Sequence, residues 1–416
     1  MGDVIISSNN ESGLLQSLYK ITQQDPFSYY QELNYPNMSK SIIQVSPQSI
    51  ITAPFSNKNI TFKLPRYGLL EAAYIRTTVT VGAASSAANL DNTMPGTRIY
   101  NNIALRTNNQ DIFTQYPSSC LARMLDVDPK KATIYGQLTH FNVTMAGTAV
   151  GTVYTPIFFP CFEAKHMYLD LSFVEQLELN CQVNNTLSTT TGSIGFITDE
   201  PTAFTSTLFL VFRNLEYNAL EAYQASNFGN GQSNLNMLVY DNYLENNLAL
   251  SATTSFTLDL KCPNVAYATH YYILDSANAG FDISSGATAD ITSSTLKVSG
   301  RNIYENIPYE VLKFDASRLG KHYMKTTDSI GTNNNTTQPD GILNYSKKHV
   351  SLYYGTDIDR LNQVGGISFG NTNGPQIVIN LKENAVATGR LICHHEFWKI
   401  LSISPSDGRI LVSSSL

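Results

Sequence analysis

A repeating alternation of apolar and polar residues constrains the fold of this 416-residue chain more than any other feature. The alternation is clear from Ile60 to Leu64 and from Ile75 to Val81, with turn residues from Pro65 to Gly68 between them. A period of two predicts strands with one buried face. Similar runs continue along the chain: Thr97 to Arg106, Gly136 to Met145, Val153 to Phe162, Val174 to Val183, Thr207 to Leu215, Leu235 to Leu244, Ser255 to Leu260, Ala268 to Leu274, Thr295 to Val298, Val350 to Tyr354, Gln376 to Leu381 and Gly389 to Ile403. Because no long helical patterns separate these runs, the sequence predicts an all-β protein rather than a parallel α/β sheet.

The strand pattern is interrupted once, near the middle of the chain. Leu215 to Ala225 has the spacing of a short helix, and turn-forming residues follow from Asn227 to Gly231. Each half offers about seven or eight strands joined by long polar loops, which is the pattern of a jelly roll. We therefore predict two tandem antiparallel eight-stranded jelly rolls, the first over residues 51–225 and the second over residues 226–416. The run Leu208 to Phe212 is apolar on both faces, so that strand should be covered on both sides.

Residues 1–50 differ from the rest of the chain and predict an N-terminal helical arm. The apolar residues at helical spacing are Leu14, Leu15, Leu18 and Ile21. Asp25-Pro26 ends this pattern. Two lysines and four acidic residues give the segment a net charge of 2 − 4 = −2, which excludes a basic arm that packages RNA. The amphipathic helix either packs on its own domain or docks on a neighbouring subunit or a membrane surface.

The composition favours a protein that assembles through polar and aromatic contacts. Charged residues are only 14% of the chain, against a usual value of about 25%. Asn, Ser, Thr, Gln and 24 tyrosines take their place. The formal net charge of −6 disfavours wrapping of nucleic acid by the whole chain.

The cysteine pattern and the hydrophobicity profile predict a soluble protein made in a reducing compartment. No paired spacing relates the five cysteines, so we expect free thiols rather than a disulfide framework or a zinc site. These residues are Cys120, Cys161, Cys181, Cys262 and Cys393. The first residues lack the pattern of a secretory signal peptide, and no apolar run reaches the roughly 18 residues of a membrane span.

One local cluster, His394-His395-Glu396, contains residue types that bind metals. On a strand, His394 and Glu396 share one side and His395 faces the other. The remaining histidines offer no spacing that completes a site, so we predict a packing role and no metal or other cofactor. Neither a nucleophile elbow nor a phosphate-binding loop is present, and we predict no enzymatic activity.

Several stretches, in one order along the chain, carry a family resemblance. They are Phe62 to Leu70, Tyr74 to Val79, Tyr154 to Phe159, Leu171 to Val183, Phe209 to Asn236, Leu258 to Val265, Gln363 to Phe369 and Leu391 to Val412. Together they resemble the double jelly-roll major capsid proteins of eukaryotic double-stranded DNA viruses, which include polinton-like viruses, virophages and nucleocytoplasmic large DNA viruses. The chain departs from the family pattern at Leu69, where the family has an acidic residue.

The resemblance implies a viral major capsid protein. Such a chain is expected to form homotrimers that act as pseudo-hexagonal capsomers of an icosahedral shell around a double-stranded DNA genome. The implied partners are neighbouring capsomers, minor capsid and penton proteins and an internal membrane, without sequence-specific binding to nucleic acid. The implied location is the virion, after synthesis in the host cytoplasm. In this setting the arm residues Leu14, Leu15, Leu18 and Ile21 would contact another component on the inner side of the capsomer.

Two other functions stay open at the level of sequence. A β-sandwich of this composition also suits a carbohydrate-binding or carbohydrate-active protein, since tyrosine is abundant in both classes. A capsid protein of a single-stranded RNA virus, with a shell and a projecting domain, is a third reading. The acidic N-terminal segment argues against this third reading, because genome RNA is held by basic arms.

Overall fold

The structure is a computed structural model, and its described part covers most of the strands of both halves. The described residues are 39–82, 95–107, 110–126, 134–135, 137–143, 145–159, 169–184, 201–215, 235–245, 248–274, 290–318, 349–354, 366–370, 372–382, 389–404 and 408–413. The helix expected at residues 14–21 and the boundary expected at residues 225–226 lie outside them. None of the helices in the described ranges has the length and apolar character needed to cross a bilayer.

The first half forms two antiparallel sheets that face each other. Its strands are β1 (Ser39–Val45), β2 (Asn59–Lys63), β3 (Leu69–Thr80), β4 (Tyr100–Thr107), β5 (Gln110–Gln115), β6 (Val150–Ile157), β7 (Leu169–Asp170), β8 (Leu177–Val183) and β9 (Ala203–Asn214). Sheet A has the order β1-β9-β3-β6, with β7 paired to β3, and sheet B has the order β2-β8-β4-β5. A 3₁₀ turn, Leu171–Phe173, leads from β7 towards β8.

The second half repeats this arrangement. Its strands are β10 (Leu235–Leu244), β11 (Leu248–Ala249), β12 (Ser255–Asp259), β13 (Val265–Leu274), β14 (Ile291–Val298), β15 (Arg301–Pro308), β16 (His349–Tyr353), β17 (Ile367–Ser368), β18 (Gln376–Leu381), β19 (Arg390–Ile403) and β20 (Ile410–Ser413). Sheet C has the order β10-β19-β13-β16, with β11 and β20 on β19 and β17 on β13. Sheet D has the order β12-β18-β14-β15.

The equal strand order of the two halves confirms the predicted fold class, two tandem antiparallel jelly rolls. Sheet C matches sheet A strand for strand, so that β10, β19, β13 and β16 correspond to β1, β9, β3 and β6. Sheet D matches sheet B in the same way. Each roll therefore has eight main strands in two four-stranded layers, and the remaining short strands extend sheets A and C.

Alternation places the apolar side chains of each strand between the two layers. In β2, Ile60 and Phe62 are buried, while Thr61 between them is partly exposed. In β3, Ile75 and Val79 point inward. Buried residues of sheets A and B form one hydrophobic core, and those of sheets C and D form a second. The first core also reaches apolar side chains of sheet C, so the two rolls pack directly on each other.

The first jelly roll begins earlier than expected. Strand β1 (Ser39–Val45), which the sequence analysis placed in the arm, pairs with β9 along its whole length. This strand lies at the edge of sheet A, and only its Ile43 and Val45 pack against the core. Its alternation of apolar and polar residues is therefore weak. The expected arm is therefore shorter, because residues 39–50 belong to the roll.

One expected strand does not form. The described residues within Gly136 to Met145 begin in helical conformation at residues 137–138 and continue in turns and bends rather than in a strand. Asn142 explains the difference, since its Oδ1 accepts the N–H of Thr152 at 2.7 Å and its own N–H donates to the carbonyl of Thr152 at 3.1 Å. These local bonds tie the segment to the start of β6 and replace a strand ladder.

Three helices with defined bounds join strands in the described part of the chain, besides the short helical segment at residues 134–135 and 137–138. They are α1 (Pro95–Arg98), α2 (Pro117–Asp126) and α3 (Tyr309–Arg318). Helix α2 follows β5 in the first roll, and α3 follows the corresponding strand β15 in the second. The two helices thus hold equivalent positions, but their surroundings differ. The described side chains of α2 from Ser118 to Met124 are all buried, whereas α3 exposes Val311 and Phe314.

The cysteines provide a test of these two cores. Cys120, Cys181, Cys262 and Cys393 are free and buried, and Cys161 lies outside the described residues. Burial raises the pKa of all four thiols, for Cys262 to about 12. Since the thiolate is the reactive form, we expect these four residues to resist alkylation in the native protein at pH 8 and to react fully after denaturation.

Site-resolved mass spectrometry after iodoacetamide treatment measures both states. The denatured, non-reduced sample is its own control for reagent access. Alkylation of the native cores, or disulfide-linked peptides among these four residues, would contradict the structure.

Candidate functional site: the polar interface between the jelly rolls

The face of sheet C that points away from the second core is covered by helix α2 of the first roll. We call it the inter-roll face. The pairing of β13 with β19 sets His270 opposite His394, Ala268 opposite Glu396 and Tyr272 opposite Ile392 on this face. The alternate residues, including Tyr271 and Cys393, belong to the core of the second roll.

Arg123 of helix α2 is the main polar contact across the interface. Its side chain is 2% exposed, and its Nη2 donates to Glu396 Oε2 at 2.8 Å and to Tyr267 Oη at 2.7 Å. The Tyr267 hydroxyl in turn donates to Glu396 Oε2. The guanidinium carbon lies 3.7 Å from the centre of the Tyr240 ring. An ion pair that is buried this deeply is stable only with such additional hydrogen bonds and a cation–π contact.

Glu396 is the centre of this network. Burial opposes its ionisation, but the charge of Arg123, together with His270, holds the pKa of the carboxyl well below its usual value. Glu396 is therefore ionised at neutral pH. A buried carboxylate without its partner is very costly, so the position of Arg123 over sheet C is fixed by charge as well as by shape.

A second set of polar contacts joins β5 of the first roll to β10 of the second. The N–H of Thr114 donates to Asp241 Oδ1 at 2.7 Å, and Asn242 Nδ2 donates to the carbonyl of Thr114 at 2.8 Å. Lys399 neutralises Asp241 through a contact of 2.6 Å between Nζ and Oδ2. These contacts align the edge of sheet C with the edge of sheet B.

Buried histidines occupy the rest of the inter-roll face. The rings of His270 and His394 are stacked, with centroids 4.6 Å apart, and His349 stacks on Tyr272 at 4.3 Å. His270 Nδ1 lies 2.7 Å from Ser351 Oγ. Both ring nitrogens of His394 lack a hydrogen-bond partner. Burial, with His270 beside it, lowers the pKa of His394 well below its usual value, so this ring is neutral near pH 7.

The structure bears directly on the His394-His395-Glu396 cluster. As predicted, His394 and Glu396 share one face, and His395 points the other way, to Thr269 Oγ1 at 2.7 Å and Glu245 Oε1 at 3.2 Å. The sequence analysis missed His270, which the register of β13 brings beside His394 and Glu396. These three side chains form a group whose ligand atoms lie within 4.8 Å of one another.

The predicted arm residues and the single tryptophan also bear on the candidate functions. The arm residues, Leu14, Leu15, Leu18 and Ile21, lie outside the described residues. Trp398 is 4% exposed and lies against Tyr267. This is the only tryptophan of the chain, and its burial removes it as a surface platform for stacking sugars.

The fold is similar to solved structures of viral capsid proteins. A quasi-atomic model of the PBCV-1 virus capsid covers 91% of this chain and 98% of its own, with a TM-score of 0.65 and 10% identity. The Faustovirus major capsid protein covers 88% of this chain and 90% of its own, with a TM-score of 0.58 and 9% identity. The mavirus major capsid protein covers 90% of both chains, with a TM-score of 0.53 and 12% identity.

These likenesses establish the class of fold. No family model matches the chain, and no curated protein matches it in sequence. The chain is a double jelly roll with the fold of these capsid proteins.

We expect a large loss of stability when the Arg123–Glu396 ion pair is removed by substitution. Arg123→Met should lower the free energy of unfolding by about 3–5 kcal/mol, because it leaves the Glu396 charge buried without its partner. Adding Glu396→Leu should recover a large part of this loss, since no buried charge then remains. Denaturant unfolding followed by the fluorescence of Trp398, which lies beside this network, measures the effect.

The matched control is Arg66→Met. Arg66 and Glu175 also form an ion pair, at 3.2 Å, but their side chains are 58% and 51% exposed. Loss of such a surface pair should cost less than about 1 kcal/mol. Equal effects of Arg66→Met and Arg123→Met would contradict the role given to the buried pair.

Proposed function

We propose that the protein is the major capsid protein of an icosahedral double-stranded DNA virus. The proposal is supported by the double jelly-roll fold shared with three viral capsid structures over most of each chain. The chain would assemble as a homotrimer, in which six jelly rolls make a pseudo-hexagonal capsomer. Its role is then structural and not enzymatic.

The observation that supports the trimer is a difference between helices α2 and α3, which hold equivalent positions in the two rolls. Helix α2 packs on sheet C inside the chain. Its counterpart α3 buries Tyr309 and Leu312 against its own roll, but leaves Val311 50% exposed and Phe314 63% exposed. Two large apolar side chains on one helix favour a partner surface rather than water.

Sheet A provides the surface that corresponds to the inter-roll face of sheet C. Tyr74 and Phe209 are opposite each other in the register of β3 and β9, on the side that faces away from the core. Both are only partly buried, and Arg76 lies over the Phe209 ring at 5.3 Å. The sequence predicts that the apolar outer face of β9 is buried, but within one chain its side chains stay partly exposed to solvent.

Contact between α3 of one chain and sheet A of the next repeats, between chains, the contact of α2 with sheet C. Such a contact joins two different surfaces, so it continues from chain to chain until rotation closes a ring. With two similar rolls per chain and similar contacts between all rolls, three chains close a ring of six. This is the geometry of a pseudo-hexagonal capsomer.

The trimer predicts a strong effect of changes on α3. The double variant Val311→Ser/Phe314→Ser should convert trimers to monomers, because it removes the apolar contact while leaving Tyr309 and Leu312 in the core. Light scattering coupled to size exclusion measures the mass. Ile50→Ser, at a residue that is 87% exposed, is the matched control and should stay trimeric. A wild-type monomer or twofold dimer, or a double variant that remains a trimer, would oppose the proposal.

The N-terminal arm would link the capsomer to other components. A stripe as short as Leu14, Leu15, Leu18 and Ile21 buries too little surface to be a stable helix alone, so it requires a partner. We place this partner on the inner side of the shell: a neighbouring subunit, a minor capsid protein or an internal membrane. Penton proteins and neighbouring capsomers would complete the virion, and synthesis would take place in the host cytoplasm.

Substitution of the arm residues tests this role separately. The variant Leu14→Ser/Leu15→Ser/Leu18→Ser should keep the trimer and the melting temperature, since the cores of both rolls lie elsewhere. Shell assembly, followed by electron microscopy, should be strongly reduced. Normal shells from this variant would exclude a docking role for the arm.

A further inference from the structure

We propose that His270, His394 and Glu396 form a binding site for a divalent transition-metal ion, Zn²⁺, in the interface between the two jelly rolls. All three side chains are fully buried, and they come from two adjacent strands, β13 and β19. Two imidazoles and one carboxylate are a common protein ligand set for zinc, with the fourth position left to water.

The spacing of the ligand atoms agrees with a single ion. The three ligand atoms lie within 4.8 Å of one another. His270 Nε2 and Glu396 Oε1 are 3.6 Å apart. Two ligands of one tetrahedral zinc, each roughly 2.1 Å from it, are separated by about 3.4 Å. An ion between these two atoms would therefore require only a small adjustment.

The atoms that face the site have no other partner. His270 Nε2, Glu396 Oε1 and both ring nitrogens of His394 are buried without hydrogen bonds. Buried polar atoms in folded proteins almost always have a hydrogen-bond partner. An atom without one either contacts a bound ion or water or destabilises the fold. Three such side chains in one group point to an occupant that one atom of each contacts.

Neighbouring residues prepare His270 and Glu396 as ligands. When His270 Nδ1 donates to Ser351 Oγ, at 2.7 Å, Nε2 carries the lone pair. A cation placed between Nε2 and the carboxylate oxygen Oε1, which are 3.6 Å apart, would then bind both atoms. Glu396 Oε2 is meanwhile held by Arg123 and Tyr267, so only Oε1 is turned to the site.

His394 is the ligand that must move. Its ring is stacked on His270 with only 13° between the planes, so the lone pairs of the two rings do not meet at one point. Rotation of the His394 ring aims a nitrogen at the ion. Since neither of its nitrogens is hydrogen-bonded, this rotation breaks no bond. The ion would join β13 to β19 and, through Glu396, fix helix α2 on sheet C.

Zinc binding to the full-length protein tests the site. After treatment with a chelator and desalting, the protein is incubated with Zn²⁺, desalted again and analysed for metal. We expect one retained zinc per chain and a higher melting temperature, because a ligand that binds the folded state stabilises it. With Co²⁺ in place of Zn²⁺, we expect the intense visible absorption of a tetrahedral site.

The deciding variant is His394→Phe. It keeps an aromatic ring in the stack but removes both nitrogens, so the protein should fold and lose the retained zinc, the melting shift and the cobalt absorption. His140→Phe, outside the group, is the control and should keep all three. Ser351→Ala should weaken zinc binding by about 10–100-fold, because His270 loses the partner that orients it.

Two results would overturn the site: a wild-type protein that retains no zinc, or a His394→Phe protein that retains as much zinc as wild type with the same cobalt spectrum. If His394→Phe does not fold, unchanged zinc affinity in Ser351→Ala gives the same negative answer. Since all three ligands belong to one chain, these outcomes are independent of trimer formation and of the capsid role.

Discussion

The buried ion pair of Arg123 and Glu396 fixes how the two jelly rolls sit on each other. Two apolar surfaces can slide over one another with little change in buried area, because the hydrophobic effect has no direction. A carboxylate that has lost its water tolerates no such shift. Glu396 needs both Arg123 and Tyr267 at hydrogen-bond distance, and Arg123 also needs the Tyr240 ring beneath it. The bonds of Thr114 to Asp241 and Asn242 impose the same requirement at the sheet edge. The relative position of the rolls is therefore set by directional contacts, while the apolar cores provide most of the driving force.

Much of this fold follows from the sequence, and the exceptions have two causes. Strands in the middle of a sheet, such as β3, β9 and β19, have one or two fully buried faces, so their apolar residues are dense and regular. Three main strands that the sequence analysis did not predict, β1, β5 and β15, each lie at the edge of a sheet. An edge strand has one unpaired side and carries charged or polar residues that oppose edge-to-edge pairing, which weakens its pattern. The strand predicted at Gly136 to Met145 does not form for a different reason. The sequence alternates there, but the hydrogen bonds between Asn142 and Thr152 hold the backbone in a turn.

The site could be predicted only in part. Alternation alone places His394 and Glu396 on one side of a strand, and the register confirms it. The third member, His270, depends on how two strands far apart in sequence are aligned, and nothing local to either strand specifies that alignment. Arg123 is harder still, since it reaches Glu396 from a helix of the other roll. A single basic residue in a helix of mostly small or apolar side chains, Pro117–Asp126, is the one sequence feature that could have marked it.

The internal repeat has a consequence for how strong each interface can be. The two rolls of one chain are covalently joined, so they meet at the high effective concentration of an intramolecular contact. Such an interface can include buried charges whose desolvation would weaken a bimolecular association. In the proposed trimer, the equivalent contact between separate chains would start from a much lower concentration. There α3 offers the exposed apolar side chains of Val311 and Phe314 rather than an arginine aimed at a carboxylate. One architecture would then carry two versions of the same contact. One is permanent and specified by charge within the chain, and the other would be reversible and formed by apolar surface between chains. Reversibility between chains would allow a misplaced subunit to leave and rebind before a closed ring forms.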